Sequence, residues 1–541
     1  MDNIRLILVI LLSFISLLLW EAWQRDYVNP PASTETAAAP ATAADAPPSP
    51  PAATPAMPQT NPASVTPLPA STKPVIVETD MFHVEINPVG AVLGKLSLKH
   101  YPVSIDKDAA LFALLANDDT RVMIAQSGLK SSSASPDHYA QYSAAAERYT
   151  LADGADSMNV ELTWRSPEGV EVIRRFVFKR GSYEIAQQFE VRNQSSTVWK
   201  AHPYDQLQRV QLPTSRSVTP TFTGAAISSP EKKYEKFDFD DLADEPINRD
   251  ITGGWAALVE HYFVAALIPP ADTSQHYYST AVAENRFVIG YYGPELQVPV
   301  GETGSIESRL YAGPKRQDLL PQVAPGLELT VDYGVLWFIA KILFWWLDAL
   351  HGIFGNWATA IILLTLTVKL MFYPLSAAGY RSMAKMRKVQ PRLVALKERF
   401  GDDRAKMNQA MMDMYKTERI NPLGGCLPIF VQIPVFIALY WVLLESVELR
   451  QAPFMLWVRD LSIKDPFFVL PVLMTASMWF QTKMNPAPPD PIQAKVMQIM
   501  PLAFGAFFAF FPAGLVLYWL VNNCLSIAQQ WYVTKQIEAA P

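Results

Sequence analysis

Lys369 is a single cation within a long apolar run, and its type and position point to chemistry more strongly than those of any other residue. It lies in residues 358–373, ATAIILLTLTVKLMFY. On insertion scales, an ammonium at the centre of a membrane helix costs about 2.5–3.5 kcal/mol. Two interpretations remain open. The side chain can snorkel toward the end of the run that is followed by Pro374, or the charge can face a hydrated cavity inside the membrane.

Amide and hydroxyl side chains recur in the apolar segments of the second half of the chain. Thr365 lies four residues before Lys369, on the same face of a helix. Such groups need hydrogen-bonding partners in hydrocarbon, and each alone is usually a helix–helix contact. No carboxylate lies at mid-membrane depth, since Glu445 falls at the outer end of its segment. These residues together predict a hydrated groove, and its other polar members are Gln432, Asn522, Asn523 and Ser526.

Motifs that would indicate catalysis are not found in the sequence. It contains no GxxxxGK[ST] phosphate loop, no HExxH zinc site and no GxSxG elbow. The histidines are scattered, and His83, His202 and His261 have no partners at ligand spacing. We therefore predict no catalytic residues, no metal site, no cofactor and no enzymatic activity.

The composition predicts an integral membrane protein. Half of the 541 residues are apolar and 18% are charged, against about 25% in average soluble proteins. Residues 376–420 hold eleven Lys/Arg and five Asp/Glu, a local charge of +6. The net charge of the chain is −6, so the other residues together carry −12. A basic block beside an apolar span indicates a cytoplasmic loop. The two cysteines, Cys426 and Cys524, lie in or beside apolar segments and indicate no disulfide framework.

The first part of the chain predicts an anchor followed by a linker. Residues 4–20 are apolar, and we interpret residues 1–24 as an uncleaved transmembrane anchor, with a cleaved signal peptide as the alternative. Residues 25–74 are rich in Pro, Ala, Ser and Thr. Such a composition cannot bury enough apolar surface to fold, so it predicts an extended linker.

Residues 75–325 alternate polar and apolar side chains, which predicts a large, all-β antiparallel sandwich. Because this region follows the predicted anchor, we expect it to be exported. The clearest strand patterns lie at 82–86, 160–164, 175–178, 183–191 and 287–292.

Residues 326–541 predict a helical membrane core. The Trp-rich stretch around 332–348, which contains Lys341 and closes at Asp348, is short for a span. It predicts an interfacial helix, with a true span as the alternative. Six spans including the anchor place both termini in the cytoplasm and residues of about 25–350 outside. The five predicted core spans are at about 357–373, 427–444, 467–481, 496–511 and 514–533.

The basic block at 376–420 predicts a cytoplasmic hairpin of two amphipathic helices. Apolar residues recur at steps of three and four on both sides of Gly401, which is followed by a capping Asp. The methionines on these faces can simply pack the two helices together. Alternatively, some form an adaptable surface for apolar partners.

Several stretches resemble the Gram-negative branch of the YidC/Oxa/Alb family of membrane protein insertases. The resemblance covers the five core spans and rests on SMAKMRKVQP, NPLGGCLPIFVQIPVFIALYW, SVELRQAPF, DPFFVLPVLM and FPAGLVLYW, all between residues 382 and 519. It implies insertion and folding of newly made inner-membrane proteins, alone or with the Sec translocon, without nucleotide hydrolysis. The exported part is similar to the family's β-supersandwich, which is akin to sugar-mutarotase folds and has no assigned catalysis.

The resemblance also implies roles for residues. Lys369 stands where the family typically carries Arg at the positive centre of its groove, and Lys lacks the planar fork that binds a carboxylate with two hydrogen bonds. The substrate-contacting helices of the family match those with Phe436, Met474 and Trp519. The implied partners are nascent membrane proteins, the Sec translocon with its accessory subunits, lipids, and a ribosome or targeting factor, with no sequence-specific nucleic acid. The ribosome or targeting factor would dock on the hairpin through Arg381, Lys385, Arg387, Lys388 and Arg392.

Two other classes of protein are less consistent with the sequence. A secondary transporter would have inverted repeats, and the five core spans have none. A sugar-binding or sugar-modifying exported domain would bring acidic and histidine side chains together, and the sequence gives no sign of this.

Overall fold

A computed structural model describes residues 73–118, 121–211, 221–282, 285–400, 403–418, 427–485 and 491–539. The predicted anchor at 1–24, and all but the last two residues of the predicted linker at 25–74, lie outside these ranges.

Two large sheets form a β-sandwich in the first half of the described chain. One sheet has eleven strands and the other nine, and the strand pairs within the described residues are antiparallel except β1 with β7. Buried side chains of both sheets belong to one core. The strands are β1 Val75–Glu78, β2 Phe82–Asn87, β3 Val92–Pro102, β4 Leu111–Asp118, β5 Arg121–Lys130, β6 Ser143–Ala144, β7 Arg148–Thr150, β8 Ser157–Arg165, β9 Val170–Lys179, β10 Glu184–Asn193, β11 Trp199–Val210, β12 Gly224–Ser228, β13 Glu235–Phe237, β14 Asn248–Thr252, β15 Trp255–Val259, β16 Phe263–Ile268, β17 Ser274–Val282, β18 Arg286–Tyr292, β19 Leu296–Val298 and β20 Thr303–Pro314.

The period-two pattern correctly located strands. The five predicted stretches coincide with β2, β8, β9, β10 and β18, although Tyr183 lies one residue before β10. In β2 the apolar residues Phe82, Val84 and Ile86 are buried, and the residues between them are partly exposed. This alternation is the expected result of packing one face of a sheet against a core.

Helices dominate the second half of the described chain. The short helices α1 Phe239–Asp244 and α2 Leu320–Val323 belong to the sandwich part. The others are α3 Trp337–Phe354, α4 Trp357–Met371, α5 Tyr373–Phe400, α6 Arg404–Thr417, α7 Leu427–Glu445, α8 Val469–Met484, α9 Pro491–Phe508 and α10 Ala513–Ala539.

Helix α3 differs from the predicted interfacial helix at 332–348, because it begins later and continues past Asp348. Asp348 lies on the exposed side of the helix, so its charge does not interrupt the buried face. The helix ends at Gly355, which adopts a left-handed conformation with φ of 66°. Glycine commonly occupies this position because it has no Cβ to clash.

Few of the described helices are long and apolar enough to cross a membrane alone. By length and composition, one qualifies, at Gly334–Phe354, and a second qualifies if Trp357–Met371 and Tyr373–Leu393 form one span bent by 67°. Shorter apolar helices lie at Val431–Glu445 and Ala494–Phe508. The number of six spans therefore stays a prediction.

The bend after α4 has a local cause. The predicted span at 357–373 is instead divided at Phe372, and Pro374 is the second residue of α5. Proline has no backbone N–H and cannot continue the hydrogen-bond ladder of the preceding helix. Helix α5 then continues through Pro391 to Phe400. Helix α6 begins after Asp403, whose side chain accepts a hydrogen bond from the Lys406 backbone N–H at 3.1 Å.

The sandwich contacts the helices through a polar junction. Lys315, which follows β20, forms an ion pair of 3.1 Å with Glu445 at the end of α7. The side chains of Arg450 and Gln451 both donate hydrogen bonds to the carbonyl oxygen of Pro102, at 2.7 and 2.8 Å. Because Pro102 ends β3, these contacts fix one end of that strand to the end of the helical core.

Candidate functional site

Lys369 lies in the last turn of α4 and points into the helix bundle. Its Nζ donates a hydrogen bond of 2.7 Å to Ser526 Oγ on α10, and Gln432 Oε1 on α7 lies 3.5 Å away. The residue is 8% exposed. This ammonium is therefore held between two neighbouring helices, whereas a snorkelling side chain would extend to the membrane surface.

Amide and hydroxyl groups extend this contact into a network. Gln432 Nε2 donates to Asn522 Oδ1 at 2.7 Å, and Ser526 Oγ donates to the Asn522 carbonyl at 2.7 Å. Asn523 Nδ2 donates to Ser477 Oγ on α8 at 3.3 Å. Every hydrogen-bond partner of Lys369 found in the described ranges is neutral. The network therefore orients the cation without neutralising it.

A cavity of about 340 Å³ opens beside Lys369. Helical spacing explains its lining, because Tyr518, Asn522 and Ser526 recur every four residues on one face of α10. Part of the wall is polar and part is apolar. The apolar part includes Ile433, Phe436, Met478 and Trp519. A cavity of this kind can hold polar groups near the cation and an apolar side chain against the opposite wall.

Seven of the nine residues predicted for the groove line this cavity. They are Lys369, Gln432, Asn522, Asn523, Ser526, Phe436 and Trp519. Thr365 lies one turn away, where its hydroxyl donates to the Ile361 carbonyl at 2.6 Å. Met474 is 0% exposed and packs in the core.

Sequence reasoning also missed part of the lining. Met478, one turn after Met474, faces the cavity, and Ser376, Tyr380 and Asn485 line it as well. The spacing of four residues between Met474 and Met478 indicates the correct face of α8, but it does not indicate the depth at which that face opens.

The five cations predicted for docking are all exposed on α5. Lys388 donates to the Ile537 carbonyl at 3.2 Å, and Arg392 pairs with Glu418 at 2.6 Å. Arg381, Lys385 and Arg387 make no ion pair with another residue of the described ranges. Three cations on this helix are therefore accessible to an acidic partner.

The predicted absence of a metal site concerns the His, Cys, Asp and Glu side chains. No group of three or more His, Cys, Asp or Glu side chains that could hold a metal ion occurs among the residues with described positions. The isolated histidines have ordinary partners, such as the Gly293 carbonyl, which lies 3.0 Å from His202 Nδ1.

These features define a class of membrane protein in which apolar helices enclose a polar, positively charged cavity beneath a β-sandwich. Residues 74–346 match the family model described as YidC periplasmic domain, and residues 349–540 match the one described as 60Kd inner membrane protein. The chain belongs to the YidC family of membrane protein insertases, a family of inner membrane proteins.

Similar proteins cover nearly the whole chain. The membrane protein insertase YidC of Methylococcus capsulatus is 48% identical over 99% of both chains. The membrane protein insertase YidC of Pseudomonas putida strain GB-1 is 51% identical over 86% of this chain and 84% of its own. A crystal structure of an active YidC insertase with the first transmembrane domain resolved aligns with 85% of this chain and 93% of its own, at 18% identity and a TM-score of 0.39.

Proposed function

We propose that this chain inserts newly made membrane proteins into the inner membrane, and that the cavity beside Lys369 receives the part of the substrate that crosses. The uncompensated charge of Lys369 carries this proposal. A unit charge attracts an opposite charge 4 Å away by about 4 kcal/mol at the effective dielectric constant near a protein surface. An acidic segment of the substrate therefore gains stabilisation where the membrane would otherwise exclude it.

The apolar wall complements the charge. Ile433 and Phe436 lie on α7, and Met478 and Trp519 on α8 and α10. Aromatic and methionine side chains adapt to varied apolar surfaces, so an apolar substrate segment can move along them toward lipid. Binding and release of a substrate in this way do not require a catalytic step.

The proposed topology follows from the charge of α5 and α6. Their basic surface lies in the cytoplasm, where Arg381, Lys385 and Arg387 are available to a ribosome or targeting factor. The β-sandwich, at residues 75–325, lies outside, and six spans including the anchor at 1–24 place both termini in the cytoplasm. Cooperation with the Sec translocon belongs to the same proposal.

Substitutions at Lys369 test the role of the charge. In proteoliposomes, Lys369→Glu is expected to lower insertion of a substrate with an acidic tail at least tenfold, because attraction becomes repulsion. Lys369→Arg retains the charge and is expected to retain most activity. The matched control is the same substrate with a neutral tail, which Lys369→Glu should affect far less. Normal insertion of both substrates by Lys369→Ala would contradict the proposal.

Crosslinking tests the path of the substrate independently. A photoreactive residue at Met478, which lines the cavity, is expected to crosslink to a stalled nascent membrane protein. Val472 on the same helix is 64% exposed but does not line the cavity, and it serves as the control. Equal crosslinking at both positions would mean that the cavity is not the preferred path.

A further inference from the structure

Residues 446–468, called the outer loop here, join α7 to α8 and have an unusual backbone. Five non-glycine residues with positive φ occur in the described ranges, and three of them are in this loop: Gln451, Leu456 and Phe468, at 60°, 56° and 56°. Such conformations cost on the order of 1–3 kcal/mol each and persist where the surroundings enforce them. Strain of this kind is concentrated at functional sites.

The outer loop is fixed at the end of the helical core. The backbone N–H of Ala513 donates to the Ile463 carbonyl at 2.7 Å, and that of Gly514 donates to the Leu461 carbonyl at 2.9 Å. Ala513 is the first residue of α10. The loop is therefore level with the helix ends, where the hydrocarbon meets the headgroups in the topology proposed above.

Two of the three acidic side chains of the loop are directed inward, and the third, Glu448, is only partly exposed. Asp460 Oδ1 accepts hydrogen bonds from the Gln451 and Ser462 backbone N–H groups, at 3.0 and 2.8 Å. Asp465 is 1% exposed, and its Oδ2 accepts from the Leu470 N–H at 2.7 Å. Both carboxylates therefore stabilise the loop and do not contribute to its surface.

The outward side of the loop combines cations with apolar side chains. Arg459 and Lys464 are exposed and make no ion pair with any residue of known position. Leu456 is 81% exposed, Phe467 69% and Met455 55%. Basic side chains beside exposed apolar groups are typical of surfaces that bind an anionic membrane interface.

We propose that the outer loop binds anionic phospholipid of the outer leaflet, with Arg459 and Lys464 at the phosphate groups and Leu456 and Phe467 among the upper acyl chains. Charge complementarity and the position of the loop at the helix ends favour lipid over a protein partner. The location in the outer leaflet depends on the proposed topology, but lipid binding does not depend on insertion activity.

Site-specific fluorescence quenching tests this proposal. The full chain, with Cys426→Ser and Cys524→Ser, carries an environment-sensitive fluorophore at Leu456→Cys and is placed in vesicles of equimolar phosphatidylcholine and phosphatidylglycerol. Nitroxide-labelled phosphatidylglycerol and nitroxide-labelled phosphatidylcholine are compared as quenchers. We expect stronger quenching by the labelled phosphatidylglycerol, because the cations enrich it around the loop.

Two controls define the outcome. Arg459→Gln with Lys464→Gln is expected to lower the phosphatidylglycerol preference by roughly fivefold for each cation. Lys179→Gln with Lys233→Gln, which removes two exposed cations from the sandwich, should leave the preference unchanged. An equal preference in both double variants would overturn the role of the two cations.

A second site controls for the apolar contact. Val300→Cys is placed three residues before β20, at the end of that strand away from the helices. The eleven steps from Thr303 to Pro314 alone span roughly 36 Å at the rise of a strand. The fluorophore there should report water and resist both quenchers. If the fluorophore at position 456 also reports water and is not quenched, the surface faces solvent or a protein, and the proposal is wrong.

Discussion

Lys315 and Glu445 are two opposite charges with almost no exposure to solvent. Their side chains are 1% and 4% exposed, and Lys315 Nζ also donates to the Thr330 carbonyl at 3.1 Å. Removing ions from water is expensive, and their mutual attraction compensates only in good geometry. Each residue therefore depends strongly on the other.

Breaking this pair is predicted to destabilise the protein. Glu445→Ala leaves the Lys315 charge buried without its partner, and we expect a loss of about 3–5 kcal/mol in the free energy of unfolding. Lys315→Met with Glu445→Leu should recover most of that loss. Denaturant unfolding of the purified protein in detergent measures both values.

The matched control is an exposed pair, Lys95 with Glu85, at 2.9 Å. Lys95→Ala should cost less than about 1 kcal/mol. If Glu445→Ala costs no more than Lys95→Ala, the buried pair is not a stabilising contact.

At the residue scale, the sequence predicts the identity of the polar site better than its geometry. Lys369, Gln432 and Ser526 are conspicuous because polar residues are rare in apolar segments. The pairing of Lys315 with Glu445 cannot be derived, since the two residues are 130 positions apart and neither belongs to a motif. Met478 lines the cavity and Met474 packs in the core because of the depth at which the helices separate. The periodicity of the sequence does not give this depth.

At the scale of elements, Gly505 allows α8 and α9 to approach closely. A Cβ built at Gly505 would lie 1.9 Å from Thr475 Oγ1, far inside contact distance. That hydroxyl cannot move freely, because it donates to the Pro471 carbonyl at 2.7 Å. The two helices can therefore pack at their present distance only if this position is glycine.

We predict opposite effects for the same substitution at two glycines. Gly505→Ala should destabilise the protein by about 1–3 kcal/mol through overpacking. Gly352→Ala in α3, where a Cβ meets nothing within 4 Å, should be neutral or stabilise by up to about 1 kcal/mol, because alanine favours helix. Thermal unfolding in detergent compares them, and equal effects would contradict the packing argument.

The sequence predicts element types well and element ends less well. The stop at Gly401 and the cap at Asp403 are local signals, and α5 and α6 end and begin around them. Helix α3 extends beyond Asp348 because an exposed charge is compatible with a helix that is buried on one side. The break at Phe372 was missed because the apolar run continues across it, although Pro374 marks the position.

At the scale of the whole molecule, His261 connects the sandwich to α7. Its ring Nε2 lies 2.9 Å from the Leu444 carbonyl, so the neutral ring donates a hydrogen bond across the junction. Burial lowers the pKa of His261 from 6.5 to about 4. The folded protein therefore resists protonation of a group that the unfolded chain protonates readily.

The junction is predicted to weaken in acid. Above pH 6.5 the ring is neutral in both states and its contribution is complete. As the pH falls toward 4, the unfolded state binds a proton that the folded state excludes, so the free energy of unfolding falls, by about 3 kcal/mol. His261→Gln should reduce the fall in the free energy of unfolding between pH 6.5 and 4. His100→Gln, at an exposed position of β3, is the control and should retain it.

The two-part architecture follows from the change between period-two and long apolar patterns. The way in which the parts join does not, because the junction consists of single contacts such as Pro102 with Arg450. These contacts connect residues more than a hundred positions apart, and their partners can be identified only from the folded chain.

The neutral surroundings of Lys369 have a consequence for the energetics of transport. An ammonium whose partners among the described residues are all uncharged behaves like the fixed group of an ion-exchange resin, because its counter-ion comes from solution. In the proposed mechanism, an arriving carboxylate takes the place of a dissolved anion beside Lys369. Added salt should therefore weaken the entry of acidic substrate segments as the anion concentration rises. The entry of uncharged segments should not depend on the salt concentration.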